Sequence, residues 1–349
     1  MTKVLCGLCA LLFFMACGGE TDSNKLFEIQ LEGNKKKFAQ GQKVGVALKN
    51  KEGLDISEVK YSIDGSALAM EGNKIDLSIE KLGNKELKAT FSYDGNPIVL
   101  TKKIQVLAPT APQIYTYEII NTFPHDPTAY TQGLEFQGQT LYESTGKRGA
   151  STLKKLDFNS GTSLKKVALD KTVFGEGITI LNDKLYQLTW QSGFGYVYDA
   201  STLNRLESFS YGQSKEGWGL CNDGERIYKS DGTEKIWLLN PTTLIEEDYI
   251  ETVTNKSVFN KANELEYVDG KIYANVYQKE SMMIIDARSG AIEGVINFGG
   301  LKSKVKKGKE WDEVNSVLNG VAYNRERGTF FVTGKNWDKL FEVNIMKKQ

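Results

Sequence analysis

A pair of apolar or aromatic residues recurs five times along the C-terminal two-thirds of this chain. Successive pairs are 44, 42, 45 and 58 residues apart, and each pair is followed by a further strand-like segment. Units of about 40–50 residues that each contain four short strands are typical of β-propellers, in which every unit forms one blade. The repeats therefore predict an all-β protein with a five-bladed β-propeller over residues 115–349. The five pairs are Leu141-Tyr142, Leu185-Tyr186, Ile227-Tyr228, Ile272-Tyr273 and Phe330-Phe331.

The last repeat is one strand short, because it ends after three strands near Ile345. The segment Tyr115–Ile120, just before the first repeat, has the pattern of a strand with no partner in its own repeat. We expect it to supply the missing outer strand of the last blade. That pairing would close the ring and cover an otherwise open sheet edge.

Residues 25–106 contain short alternating segments separated by turns such as Asp64-Gly65. Six or seven strands with turns at this spacing predict a small Ig-like β-sandwich. Nothing in its pattern indicates chemistry, so we expect a spacer or packing module. Pro109 and Pro112 disfavour both helix and central strand, which predicts a linker over residues 107–114.

The N-terminus has the pattern of an export signal. Lys3 precedes the apolar run Val4–Met15, which is too short to span a bilayer. Ala16-Cys17 resembles a bacterial lipobox, which predicts a lipoprotein signal peptide over residues 1–17, lipidation at Cys17 and a tether over residues 18–24. The alternative is an ordinary secretory signal with a chance cysteine. The lipoprotein interpretation predicts an exported protein that contacts the membrane of the bacterial cell envelope only through its lipid anchor.

Composition limits the chemistry that the folded part can perform. Lys+Arg and Asp+Glu both number 44, so net charge does not indicate a nucleic-acid partner. His125 is the one histidine, and Cys221 is the one cysteine after Cys17. A Cys/His zinc site and an internal disulfide are thereby excluded from the globular part. We expect His125 and Cys221 to be structural, the protein to be monomeric, and acid–base chemistry to come from Asp, Glu, Lys or Tyr.

The propeller topology predicts that one end of the central channel carries a polar and aromatic rim. In every blade the first strand begins, and the second strand ends, at the same end of the channel. Burial among aromatic rings would raise the pKa of Glu176 toward the range where a carboxyl both takes and gives a proton. Lys335 could donate a hydrogen bond to an oxyanion. The residues that this topology gathers are Gln132, Glu176, Trp190, Trp218, Asn263, Tyr277 and Lys335.

Each rim residue also has an ordinary interpretation. Glu176, between Gly175 and Gly177, could be a solvated loop carboxylate, and Lys335 could be a surface lysine. Trp190 and Trp218 could fill the core. Their equivalent positions in neighbouring blades favour the aromatic wall of a ligand-binding pocket.

The repeats also carry motifs that resemble those of the plant-type glutaminyl-peptide cyclotransferases. The resemblance extends from Tyr117 to Asn344, and neither the predicted sandwich nor the lipid anchor belongs to it. The motifs are Phe123-Pro124-His125-Asp126-Pro127, Tyr130-Thr131-Gln132-Gly133-Leu134, Glu143-Ser144-Thr145-Gly146, Phe174-Gly175-Glu176-Gly177, Gly217-Trp218-Gly219, Asn263-Glu264-Leu265-Glu266-Tyr267, Leu318-Asn319-Gly320 and Thr333-Gly334-Lys335.

The resemblance implies cyclisation of an N-terminal glutamine of peptides or proteins to pyroglutamate, with release of ammonia. It implies that Glu176 is the general acid/base and that Lys335 and Asn263 steady the substrate amide and its oxyanion. The expected substrate-binding residues are Gln132, Tyr130, Phe174, Trp190, Trp218 and Tyr277.

This sequence differs from the plant-type enzymes at Tyr277, where those enzymes have a tryptophan in the pocket wall. This change bears on side-chain preference and leaves the carboxylate chemistry untouched. No cofactor is required for catalysis by this route, because the reaction is intramolecular and needs orientation and proton transfer.

Two other functions fit the same pattern. The first is a non-catalytic propeller that binds a peptide or a glycan at its rim. The second is a calcium-dependent propeller hydrolase, for which Glu176, Asn263 and Asp231 could supply ligands. The same groups could hold a structural calcium ion in the channel.

Overall fold

The computed structural model describes residues 20–348. The predicted signal peptide and the lipidation site at Cys17 lie outside the described residues. Within them, the regular structure is almost all strand, with one seven-residue helix, α1 (Glu20–Leu26), and two 3-10 turns at Glu32–Asn34 and Lys302–Lys304. The all-β prediction is confirmed. No helix in this part of the chain has the length and apolar character needed to cross a membrane.

Residues of the described chain group into two compact units. The first comprises residues up to Lys36, Lys43–Leu77 and Lys85–Ile104, and the second comprises Lys37–Gln42, Ser78–Asn84 and the chain from Gln105 onward. Nine strands precede residue 108: β1 (Phe27–Leu31), β2 (Lys37–Ala39), β3 (Lys43–Asn50), β4 (Lys60–Ile63), β5 (Ser66–Ala67), β6 (Met70–Glu71), β7 (Lys74–Asp76), β8 (Gly83–Tyr93) and β9 (Asn96–Leu107).

These strands form two sheets, in the orders β1-β3-β7-β6 and β2-β9-β8-β4-β5. Alternate residues of β8, including Leu87, Ala89 and Phe91, are buried, as expected for a strand with one face on a core. The ring of Phe91 packs edge-on against Phe27, with 4.9 Å between centroids. The expected six or seven strands became nine because strands as short as β5 and β6, with two residues each, leave no periodic pattern in the sequence.

Twenty strands follow residue 108. Three four-stranded antiparallel sheets follow one another along the chain, in the orders β11-β12-β13-β14, β15-β16-β17-β18 and β19-β20-β21-β22. Their strands are β11 (Thr131–Gln137), β12 (Thr140–Thr145), β13 (Thr152–Asp157), β14 (Thr162–Ala168), β15 (Gly175–Leu181), β16 (Lys184–Thr189), β17 (Phe194–Asp199), β18 (Arg205–Ser210), β19 (Leu220–Asn222), β20 (Ile227–Ser230), β21 (Lys235–Leu239) and β22 (Glu246–Glu251).

The last two repeats share one eight-stranded sheet, in the order β23-β24-β25-β26-β10-β29-β28-β27. As predicted, the strand that precedes the first repeat pairs antiparallel with the last strand, from Tyr115 opposite Lys347 to Pro124 opposite Lys339. It also pairs in parallel with β26 over Gln113–Tyr115, so the fourth and fifth repeats are joined at their outer edges. The strands are β10 (Gln113–Pro124), β23 (Ala262–Val268), β24 (Lys271–Val276), β25 (Ser281–Asp286), β26 (Ile292–Asn297), β27 (Leu318–Asn324), β28 (Thr329–Gly334) and β29 (Lys339–Lys347).

The first strands of the five repeats form a closed central ring. Strands β11, β15, β19, β23 and β27 each contact the next, and β27 contacts β11. Glycines allow this close approach: a Cβ on Gly177 would lie 2.6 Å from the Cα of Gly219, and one on Gly219 would lie 2.1 Å from the carbonyl oxygen of Asn263. The end of the ring at which these strands begin is called the rim below.

A buried ionic network links the first and last repeats. Both ring nitrogens of His125 face acceptors, the carboxylate of Glu143 at 2.9 Å and the carbonyl oxygen of Trp337 at 2.8 Å. Lys154 lies 3.1 Å from the other carboxylate oxygen of Glu143. Although burial opposes a charge on His125, the negative Glu143 outweighs it and raises the pKa of His125. The structural role expected for His125 agrees with these contacts.

Candidate active site

Four polar side chains at the rim lie in β-bulges. The strand register shifts between Thr131 and Gly133, between Gly175 and Ile178, between Ala262 and Leu265, and between Leu318 and Val321. A bulge places an extra residue in one strand and changes the direction in which its side chain points. The four side chains are those of Gln132, Glu176, Asn263 and Asn319; the last three bulges also contain the next residue, Gly177, Glu264 or Gly320.

Glu176 is buried at the start of β15, with 4% of its surface exposed. Its Oε1 accepts a hydrogen bond of 2.9 Å from Nε2 of Gln132. Burial raises the pKa of Glu176 well above its ordinary value; the positive charge of Lys335 opposes the rise and the negative charge of Glu216 adds to it. A carboxyl with a raised pKa can exchange a proton with a substrate near neutral pH.

Lys335, the first residue after β28, is also buried, with 3% exposed. Its Nζ lies 4.8 Å from the ring centroid of Tyr130 and 5.5 Å from that of Tyr277, which stabilises the cation against the loss of water. Burial lowers the pKa of Lys335 to about 8, while the negative Glu176 opposes the change. The charge of the predicted oxyanion donor, Lys335, and that of the predicted acid/base, Glu176, therefore each affect the pKa of the other group.

A chain of three side-chain amides leads across the rim to Glu176. Asn263 donates from Nδ2 to Oδ1 of Asn319 over 2.9 Å. Asn319 donates in turn to Oε1 of Gln132 and to the carbonyl oxygen of Thr131, both over 3.0 Å. Gln132 then donates to Glu176, so each of the three bonds between side chains is donated in the direction of the carboxylate. This chain brings the predicted residues Asn263, Gln132 and Glu176 into one network.

Asn319 is a site residue that sequence reasoning missed, although its motif was recognised. The available signal was its place at the start of a first strand, equivalent to Gln132, Glu176 and Asn263. Its role in joining Asn263 to Gln132 could be seen only in the folded chain, since Asn319 and Gln132 are 187 residues apart.

Aromatic rings surround these polar groups. Phe174 packs edge-on against Tyr130 at 6.1 Å and against Trp190 at 5.6 Å, while Trp218 packs against Tyr277 at 5.3 Å. Burial, with smaller contributions from Tyr277 and Glu176, raises the pKa of Tyr130 to about 12, so its hydroxyl stays protonated at neutral pH. All predicted substrate-binding residues therefore lie together at the rim.

Glu216, in the loop before Trp218, is a second residue that sequence reasoning missed. Its Oε2 accepts the indole N–H of Trp190 at 2.8 Å and that of Trp218 at 2.9 Å. A glutamate in a loop gives no recognisable signal in the sequence. Its hydrogen bonds come from two tryptophans of different repeats, which only folding brings to one carboxylate.

The groups that could hold a metal have other partners. The Asp231 carboxylate accepts hydrogen bonds from the backbone and hydroxyl of Thr233 and, at 2.8 Å, from the indole of Trp237. Glu176 and Asn263 belong to the amide chain. Across residues 20–348, no three His, Cys, Asp or Glu side chains are grouped closely enough to hold a metal ion.

Comparisons with known proteins agree with this geometry. A family model described as glutamine cyclotransferase matches residues 96–345. A glutaminyl-peptide cyclotransferase from Arabidopsis thaliana is 36% identical over 237 residues, which cover 67% of this chain and 72% of that protein. The crystal structure of Myxococcus xanthus glutaminyl cyclase aligns with a TM-score of 0.63 at 32% identity, covering 68% of this chain and all of that chain. This chain is a member of the glutamine cyclotransferase family.

Proposed function

We propose that this protein is a glutaminyl-peptide cyclotransferase that converts the N-terminal glutamine of peptides or proteins to pyroglutamate and ammonia, with Glu176 as general acid/base. The observation that carries the mechanism is the burial of Glu176 beside Lys335, inside an aromatic rim and at the end of an amide chain that orients its carboxylate. Family membership supports the reaction, and the contacts of Glu176 support its role.

In the proposed reaction, the α-amino nitrogen of the substrate attacks the carbonyl carbon of its own side-chain amide. The ionised Glu176 takes a proton from that nitrogen as the new C–N bond forms. Lys335 and Asn263 donate hydrogen bonds to the oxyanion of the tetrahedral intermediate. Glu176 then returns its proton to the amide nitrogen, the old C–N bond breaks, and ammonia leaves.

The aromatic rings would orient the flexible glutamine side chain for this attack. Holding the two reacting groups of one molecule together supplies much of the rate enhancement in intramolecular reactions. Tyr130, Phe174, Trp190, Trp218 and Tyr277 would form the walls, with Gln132 between them and the carboxylate. At Tyr277 the wall carries tyrosine where the plant-type enzymes have tryptophan, and this change bears on substrate side-chain preference.

The repeat order and the closed central ring support a five-bladed β-propeller over residues 115–349 as the catalytic domain. The two sheets before it support an Ig-like β-sandwich over residues 25–106. Of the predicted linker over residues 107–114, the stretch 108–112 lies outside the strands. We further propose a monomer, exported and anchored by lipid at Cys17, that touches the membrane only through this anchor and binds no nucleic acid.

Ammonia release from a glutaminyl dipeptide amide, measured with and without EDTA, tests the function. Wild type is expected to be active in EDTA, because the one histidine is bound to Glu143 and Trp337 and Glu176 is bound to Gln132. Glu176→Gln should lower kcat by about 10²–10⁴-fold, the usual contribution of general acid–base catalysis. The control is Glu207→Gln on β18 of the same sheet, whose exposed carboxylate should not matter.

An inactive wild type, or full activity in Glu176→Gln, would overturn the proposal. Activity lost in EDTA and restored by calcium would point instead to a calcium-dependent hydrolase. Peptide or glycan binding without turnover would identify a non-catalytic propeller. A lower melting temperature in EDTA with undiminished activity would reveal a structural calcium ion.

A further inference from the structure

The carboxylate of Glu216 holds the two tryptophans of the rim by their indole nitrogens. Both N–H groups are donated to the same oxygen, Oε2, at 2.8 Å from Trp190 and 2.9 Å from Trp218. The other oxygen accepts a bond of 3.0 Å from the amide of Gln191. Each indole has one donor, so these bonds fix the orientation of both rings.

The loop that carries Glu216 is itself held by a buried ion pair. Lys229, fully buried on β20, donates to the backbone carbonyl of Glu216 over 2.8 Å and lies 3.3 Å from the carboxylate of Glu246. Glu246 also accepts the backbone N–H groups of Gln213 and Ser214, at 2.6 and 2.9 Å. These contacts make the position of Glu216 a fixed feature of the site.

The charge of Glu216 has no ionic partner in the described part of the chain. Its three donors are neutral side chains, and Lys229 pairs its charge with Glu246. A neutral acceptor would orient two indoles equally well, so orientation alone does not require a carboxylate. The charge also acts on the reaction centre, because it contributes to the raised pKa of Glu176.

We propose that Glu216 is a positioning and specificity residue: it fixes Trp190 and Trp218 and attracts the cationic amino terminus of the substrate. The inference rests on the proposed function, in which the α-amine must come to Glu176. An N-terminal amine has a pKa near 8 and so arrives mostly as ammonium at neutral pH. The carboxylate of Glu216 beside the tryptophans would attract that cation to the site. The ammonium loses one proton to solvent water to become the nucleophile, and Glu176 takes the next proton as the C–N bond forms.

Paired competitive inhibitors test the charge directly. Leucinamide carries a free ammonium group, whereas N-acetyl-leucinamide has the same side chain and no charge, and neither can cyclise. In Glu216→Gln, Ki for leucinamide at pH 6.5 should rise about tenfold through loss of a partly screened charge interaction, while Ki for N-acetyl-leucinamide stays unchanged. A merely structural residue would change both Ki values together or neither.

Glu216→Ala tests the orientation of the indoles. Without the shared acceptor both rings should become mobile, which should raise KM for the glutaminyl substrate more than it lowers kcat and shift the tryptophan fluorescence. The control is Glu225→Gln, an exposed side chain in the β19–β20 turn of the same sheet. Should the alanine variant fail to fold, Glu216→Gln decides alone, because glutamine keeps the shape and an acceptor oxygen.

The outcomes separate this inference from the proposed function. An inactive wild type overturns the cyclotransferase mechanism. An active wild type whose Glu216→Gln variant shows the same ratio of the two Ki values overturns the role of Glu216 and leaves the mechanism standing.

Discussion

Glu176 and Lys335 are both buried at the rim, and burial shifts their pKa values toward each other. The pKa of Glu176 rises well above its ordinary value and that of Lys335 falls to about 8, because water no longer stabilises either charge. Each charge partly offsets the effect of burial on the pKa of the other group. The carboxylate forms as pH rises through the raised pKa, and the ammonium is lost through about pH 8. Both charges are present together only at a pH above the pKa of Glu176 and below that of Lys335.

Replacing Lys335 by methionine should move the acidic limb of the kcat/KM profile to higher pH. The positive charge lowers the pKa of Glu176, so removing it raises that pKa further. Loss of the oxyanion donor should also lower kcat/KM by about 10²–10³-fold at its optimum. A pH series of ammonia-release rates measures both effects. Lys279→Met, exposed in the turn after β24, is the control, and an acidic limb unmoved in Lys335→Met would contradict the coupling.

At the scale of the strand, bulges and glycines position the site. Bulges in four of the five first strands, all but β19, hold the polar side chains Gln132, Glu176, Asn263 and Asn319. Gly133, Gly177 and Gly219 let neighbouring first strands approach closely. Glycine is required here for space, because a Cβ would contact backbone atoms that cannot move aside. A Cβ on Gly133 would lie 2.7 Å from the backbone nitrogen of Ile178, so the hydrogen bond between Gln132 on β11 and Glu176 on β15 depends on this spacing.

Gly219→Ala should therefore impair both stability and catalysis. Its Cβ would lie 2.1 Å from the carbonyl oxygen of Asn263, which forces β19 and β23 apart. Overpacking of this kind costs about 1–3 kcal/mol, and kcat should fall because Asn263 moves with its backbone. Urea unfolding and turnover are the measurements. Gly308→Ala, whose new Cβ would lie 3.2 Å from the Pro127 side chain, serves as control. Equal midpoints for the two variants would refute the close-approach argument.

At the scale of the whole second unit, closure of the ring depends on its first and last elements. Strand β10 pairs with β29, and His125, just beyond β10, connects Glu143 on β12 to the carbonyl of Trp337 before β29. Burial alone would raise the pKa of Glu143, but the charges of His125 and Lys154 outweigh it and lower the pKa to about 2. A carboxyl whose pKa is lowered by folding contributes its full stabilisation at pH values above the pKa that it has in the unfolded chain. That stability is lost as pH falls from about 4.5 to about 2.

Glu143→Gln should lower the free energy of unfolding at pH 7 by about 3–5 kcal/mol, because it leaves buried His125 and Lys154 without their anion. The variant should also lose less stability than wild type between about pH 5 and pH 2. This interval runs from just above the ordinary pKa of a glutamate to the lowered pKa of Glu143. Denaturant unfolding at several pH values measures both. In Asp126→Asn, the half-exposed carboxylate beside Lys154 is removed, and a loss below about 1 kcal/mol is expected. Parallel acid curves for wild type and Glu143→Gln would rule the network out as the cause.

Local sequence was enough to predict most of the strands, their repeat and the pairing of β10 with the last strand, because alternation and turn residues act over a few neighbours. It also placed Glu176, Lys335, Asn263 and Gln132 at one rim, since equivalent positions in successive repeats meet at one end. Only the tertiary structure showed which hydrogen bonds link these rim residues. The bulges, the Asn319 link, the shared acceptor at Glu216 and the union of β10 with β26 all involve partners distant in sequence. Periodicity records which face a residue presents, whereas hydrogen-bond partners depend on how closely the folded strands approach.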